Sequence, residues 1–261
     1  MPTAVIAGSR ATIATAGTGE ATFYVIGPSH SVKRKVRLGQ EIQLQPDEVR
    51  SAGRYLAILC LEVCQSADFY VTPGDAAGLS FLVHPSRVPV RQSESISGTV
   101  FPFDKFHNLL LAPVKVDFRL MAGDADLMSR SVTTQSGVAW FRTHSGKQAG
   151  SLQVVAVVKG LSVHRVVQQV ASDPCDLRVR AQRTKKGISA ETEPVRDCSG
   201  NPVPDGTIVS FSETDARGTS TVDAPIKQGV ARAQMTASGP AVISAASGVV
   251  MGNELRLGAQ P

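Results

Sequence analysis

The chain has 261 residues, a formal net charge of +5 and a pI near 9.2. That length holds two or three small domains, and no apolar run reaches the roughly 18 residues of a membrane-spanning helix. The mildly basic balance reads as a solvated surface, and nucleic-acid binding is not expected, because no base-stacking aromatic motif accompanies the charge.

From its N-terminus, MPTAVIAGSRATIATAG lacks the basic start and apolar core of a signal peptide. Alternating runs then predict strands at 20–27, 32–38, 41–45, 54–59 and 67–72, with Gly27-Pro28-Ser29 and Leu38-Gly39-Gln40 as turns. The one helical candidate is DEVRSAG (47–53), about two turns at most, or only a turn. Turn formers at 72–78 close this first all-β unit, expected over 1–76. A second unit, expected over 77–172, carries predicted strands at 79–84, 94–102, 114–120, 129–134, 137–143, 151–160 and 161–171. Ser172-Asp173-Pro174 opens a third, over 173–261, with strands at 175–181, 187–195, 207–213, 219–224, 229–236, 241–248 and 249–257. Seven short strands in about 95 residues is the pattern of an Ig-like sandwich. The expected fold class is all-β, tandem Ig-like sandwiches in a semi-rigid rod, because linkers of two or three residues leave little room for independent tumbling.

Two stretches repeat. FDKFHNLLLAPVKVDF (103–118) matches RDCSGNPVPDGTIVSF (196–211) by position: Asp104 with Asp197, Asn108 with Asn201, Phe118 with Phe211. The paired aspartates stand 93 residues apart, the size of one small sandwich. Gly137-Val138-Ala139 and Gly229-Val230-Ala231 follow in near step. Asp and Asn side chains bond nearby backbone N–H groups, and Asn tolerates a left-handed backbone, so Asp-x-x-x-Asn predicts a fixed loop between the second and third strands. The competing reading is calcium at a junction, ligated by Asp104, Asp197 or Asp205. Calcium needs six to eight oxygens, more than this stretch supplies, so the loop reading is preferred.

Four cysteines allow three pairings. Cys175 is predicted to open one strand and Cys198 to follow the next, which brings them to one pole of a sandwich. Cys60 and Cys64 flank the bend between two predicted strands, where a short loop can close on itself. Local pairing of an even count points to an oxidising compartment. The alternative, C-x3-C as half of a zinc site, lacks a nearby set of further ligands.

HPSRVPV (84–90), DKFHN with its following strand, SGVAWF (136–141), DCSGNPVPDGTIVSF (197–211) and QGVARA (228–233) resemble the bacterial Ig-like domains of the invasin/intimin type. The resemblance covers about 79–257 and departs from the pattern at His107, where Gly is usual. It implies a sandwich fold and a spacer in surface adhesins or in secreted or periplasmic proteins. Extracytoplasmic location is therefore expected, with a signal peptide supplied ahead of this start.

No nucleophile elbow, zinc-protease motif or P-loop is present, and His30, His84, His107, His144 and His164 are scattered. The expectation is a non-enzymatic spacer, adhesion or assembly subunit without cofactor or metal, meeting a protein or glycan partner at the cell envelope. The alternative is a carbohydrate-binding or accessory module. Trp140 and Phe141, adjacent in a strand so that one must point outward, are the candidate ligand-facing aromatics.

Overall fold

The structure, a computed structural model, describes residues 4–258; residues 1–3 and 259–261, the outermost parts of the first and third predicted units, lie outside it. Three separate apolar cores follow one another along the chain.

The first core is enclosed by β1 (Ala4–Ile6), β2 (Ala11–Ala14), β3 (Glu20–Ile26), β4 (Ser31–Arg37), β5 (Glu41–Leu44), β6 (Gly53–Cys60) and β7 (Cys64–Thr72). They form a five-stranded sheet, β1-β7-β6-β3-β4, and a β2-β5 pair. Alternation sends Ala21, Phe23 and Val25 of β3 inward, against Tyr55, Phe69 and Val71. β1 and β2 are too short for a two-residue period to register in sequence. The predicted helix shrinks to a 3-10 turn, Pro46–Val49. Glu48 in that turn is buried, takes an ion pair from Arg34, and accepts the Gln45 N–H at 2.8 Å. The turn cannot continue because Gly53, at φ +142°, already enters β6.

The second core lies between two sheets. One is β13-β10-β8 and the other β12-β11-β14-β15-β9, built from β8 (Gly78–His84), β9 (Arg87–Pro89), β10 (Ile96–Phe103), β11 (Lys115–Ala122), β12 (Ala125–Thr133), β13 (Ala139–Thr143), β14 (Gly150–Val158) and β15 (Leu161–Val170). Phe118 stacks on Phe141 at 4.7 Å between ring centroids and on Phe81 at 6.1 Å.

The third core repeats the plan with β16-β17-β20 against β19-β18-β21-β22. Its strands are β16 (Val179–Thr184), β17 (Gly187–Thr192), β18 (Ile208–Asp215), β19 (Gly218–Pro225), β20 (Arg232–Met235), β21 (Ala241–Ser247), β22 (Val250–Met251) and β23 (Leu255–Leu257), the last also pairing β21. Phe211 holds the place of Phe118, but Ala233 stands where Phe141 would, so one aromatic fills what two fill in the second core.

Two predicted strands here are redrawn. The first starts at Val179 rather than 175, because Cys175 is held by its N–H on the Arg196 carbonyl at 3.0 Å, off the ladder. The last splits at Gly252–Glu254. There Asn253 turns away from β21, accepting the Val179 N–H at 2.7 Å and donating to the Val179 carbonyl at 3.2 Å.

Candidate functional site: two joints and an exposed tryptophan

The Asp-x-x-x-Asn loops fold as expected of turn chemistry. Asp104 Oδ1 accepts the N–H groups of Phe106 (2.8 Å) and Asn108 (2.9 Å). Asp197 Oδ1 does the same for Ser199 (2.8 Å) and Asn201 (2.9 Å). The residue before each Asn is left-handed, His107 at φ +64° and Gly200 at φ +84°. Histidine is among the side chains that tolerate this conformation, which is why the loop survives the loss of Gly.

The loops also reach backwards, into the unit that precedes each of them. Asp104 Oδ2 accepts the N–H of Gly74 in the linker at 3.0 Å. Asn108 then spans to the first unit: its Oδ1 accepts the Ala52 N–H and its Nδ2 donates to the Arg50 carbonyl, both at 2.7 Å. The second copy makes the same set. Asp197 Oδ2 accepts the Ser172 N–H at 3.1 Å, Asn201 Oδ1 accepts the Ala149 N–H at 2.9 Å, and Asn201 Nδ2 donates to the Lys147 carbonyl at 2.9 Å. In both, the Asn Nδ2 also bonds its own Asp at 2.9 Å. The repeated motif is therefore a joint: one Asp closes the loop and holds the linker, and one Asn clamps the neighbour.

Both carboxylates are buried, at 3 % exposure. Burial pushes the Asp104 carboxyl up, but the donors from Asn108, Gly74 and Phe106 outweigh it and hold the group below its ordinary value. Asp197 stands lowered for the same reasons, burial opposed by Asn201, Ser172 and Ser199. The oxygens proposed for calcium are thus taken up by amide donors, while Asp205 accepts the Gly229 N–H at 3.4 Å.

Around this shared clamp the joints differ. At the first, Phe106 packs against the first unit's core, so close to Gly8 that a Cβ there would sit 2.2 Å from the ring. At the second, the matching position is Ser199, and covalent chemistry stands beside the loop instead. Cys198 is bonded to Cys175, with S–S 2.04 Å, and its carbonyl accepts from Arg91 of the second unit at 3.3 Å. The other disulfide, Cys60–Cys64, crosses the β6–β7 hairpin at its tip and leaves Leu61 and Val63 exposed.

The two adjacent aromatics part company. Trp140 is 63 % exposed, whereas Phe141 is fully buried against Phe118. Phe141 is corrected to a core residue, since alternation along β13 gives the interior every second side chain and Ala139 and Phe141 take it. A groove of about 900 Å³ runs beside Trp140 along the seam of edge strands β12 and β13. Arg130, Arg142, Thr133, Gln135 and Glu94 line it.

The sequence pattern locates the cysteines and the motif but not the joints. The signal it holds is position: each motif lies 25–30 residues after a linker residue that its Asp captures, as the bonds to Gly74 and Ser172 show.

The fold is one of tandem Ig-like β-sandwiches, and solved structures share it. One solved structure it resembles is FdeC, a broadly conserved adhesin of Escherichia coli, with TM-score 0.66 at 15% identity, covering 98% of this chain and 94% of that one. Invasin, a bacterial integrin-binding protein, matches with TM-score 0.50 at 12% identity over 97% of this chain and 60% of its own. InvD of Yersinia pseudotuberculosis matches with TM-score 0.50 at 13% identity over 99% and 97%. The sequence matches no protein-family model and no curated protein.

Proposed function

We propose that the chain is a non-enzymatic extracytoplasmic protein whose three Ig-like units, 1–76, 77–172 and 173–261, form a semi-rigid rod. It serves as a surface spacer, adhesion or assembly subunit and meets a protein or glycan partner at the cell envelope. The observation that carries this reading is the clamp made twice from the same residues: an Asp that binds the linker and an Asn that binds the preceding unit. A joint with two side-chain bonds across it, backed by Phe106 or by a nearby disulfide, restricts the hinge that a bare linker would leave free. All four cysteines are paired, which suits an oxidising compartment. An adhesin and an integrin-binding protein among the folds it resembles support the adhesive role.

The test combines two measurements on native cells. Antibodies raised against the chain label intact cells, and mass spectrometry after alkylation finds no modified cysteine before reduction. Four alkylated thiols in the native protein, with labelling only after lysis, would sink the proposal.

A further inference from the structure

The outer face of β13-β10-β8 is built differently from an ordinary solvated sheet. Register places Thr99 of β10 between Trp140 of β13 and Leu82 of β8, and Ser97 between Arg142 and His84. Trp140 and Leu82 are both more than 60 % exposed. They form two walls roughly 10 Å apart, two strand spacings, over a floor of short hydroxyl side chains. On the other side of the indole lies the groove with Arg130, Thr133 and Gln135.

The platform is fixed from beneath. Phe141, next in the strand, is locked against Phe118, and Gly98 admits its ring so closely that a Cβ there would lie 2.2 Å from it. The backbone of β13 is therefore anchored, so the strand presents Trp140 outward from a fixed backbone before any ligand arrives. Of the two guanidinium groups, Arg142 meets only the exposed Glu94 at 4.0 Å, a pair of little strength in water. Arg130 has no ion pair among the described residues.

We propose that this site binds an acidic oligosaccharide. A sugar's C–H face stacks on the exposed indole, the fork of a guanidinium matches a carboxylate, and Thr133, Gln135, Ser97 and Thr99 offer donors and acceptors for hydroxyls. The assignment deepens the adhesion reading and rests on it for where the glycan would be met.

Trp140 is the only tryptophan in the chain, so its fluorescence reports this site alone. The full chain is titrated with a galacturonate oligomer, with sialyllactose, and with maltohexaose as the neutral control. A saturable change with at least one carboxylated sugar and none with maltohexaose is expected. By calorimetry, Trp140→Ala and Arg130→Ala each weaken that binding at least about ten-fold, a loss of one well-made contact. Arg178→Ala, an exposed arginine on the third unit, leaves it unchanged. Circular dichroism confirms that the variants fold, as exposed positions should allow. No saturable response to either carboxylated sugar overturns the proposal, as does equal binding of maltohexaose. An equal loss with Arg178→Ala reduces the effect to net charge and also overturns it. None of these results bears on thiol status or surface labelling, so the two readings fail separately.

Discussion

Asn201→Ala removes the clamp at the second joint and leaves the first untouched. Two bonds to the second unit disappear, one accepted from Ala149 N–H and one donated to the Lys147 carbonyl, along with the Nδ2 bonds to Asp197 Oδ1 (3.2 Å) and Oδ2 (2.9 Å). A hydrogen bond contributes about 0.5–1.5 kcal/mol net, so the two across the joint stabilise it by about 1–3 kcal/mol. At about 1.4 kcal/mol per factor of ten, opening of the joint becomes roughly 5- to 150-fold more frequent. Hydrogen exchange reads this directly, because the Ala149 amide loses its acceptor. Its protection falls by that factor in Asn201→Ala. The Ala52 amide, held by Asn108 at the other joint, keeps its protection. In Asn108→Ala the two amides exchange roles. Unchanged protection at Ala149, or an equal loss at both amides, would refute the clamp.

Acid should loosen both joints. The hydrogen bonds to the Asp104 and Asp197 carboxyls hold them below the ordinary aspartate value in the folded chain, so protonation favours the unfolded state. Their contribution is full above about pH 4 and is lost as pH falls through the lower folded values; thermal unfolding followed between pH 6 and pH 2 should show it, and Asp104→Asn with Asp197→Asn should flatten that part of the profile. Cys175 and Cys198 are 23 residues apart and Cys60 and Cys64 only 4. Loop-closure entropy then gives about 3 kcal/mol for removing the first pair and about 2 for the second, so calorimetry on the Cys→Ala pairs should rank them in that order. Gly187 sits at φ +117° with a would-be Cβ 2.1 Å from the Met235 carbonyl oxygen. Gly187→Ala should cost roughly 1–3 kcal/mol in denaturant unfolding, and a neutral result would contradict the packing described for the β16–β17 turn.

How much of this was legible in the sequence depends on the range of the interaction. Strands such as β3, β11 and β18 are read from alternation, because one buried face imposes a two-residue period on a run of seven or eight residues. β1 and β9 have three residues each and β22 two, and they exist only because a long neighbour offers its edge. The Asp-x-x-x-Asn loop is local, so its fold could be foreseen from the two side chains. Its second role depends on Asn108 meeting Arg50 and Ala52, 58 and 56 positions away, and nothing in the local pattern marks those backbone groups. Trp140 and Phe141 show the same limit from the other side. Alternation says that they face opposite ways, and only the position of the core against Phe118 decides which one is exposed.

In the function proposed above, the repeated Asp-Asn clamp restricts the hinges between units. Electron–electron distance measurement tests it most directly, with spin labels on non-natural residues placed at exposed sites of the first and third units so that the disulfides stay intact. A narrow distance distribution is expected for the native chain, broadening in the Asn108→Ala, Asn201→Ala double variant. A native distribution as broad as that of the double variant would contradict it.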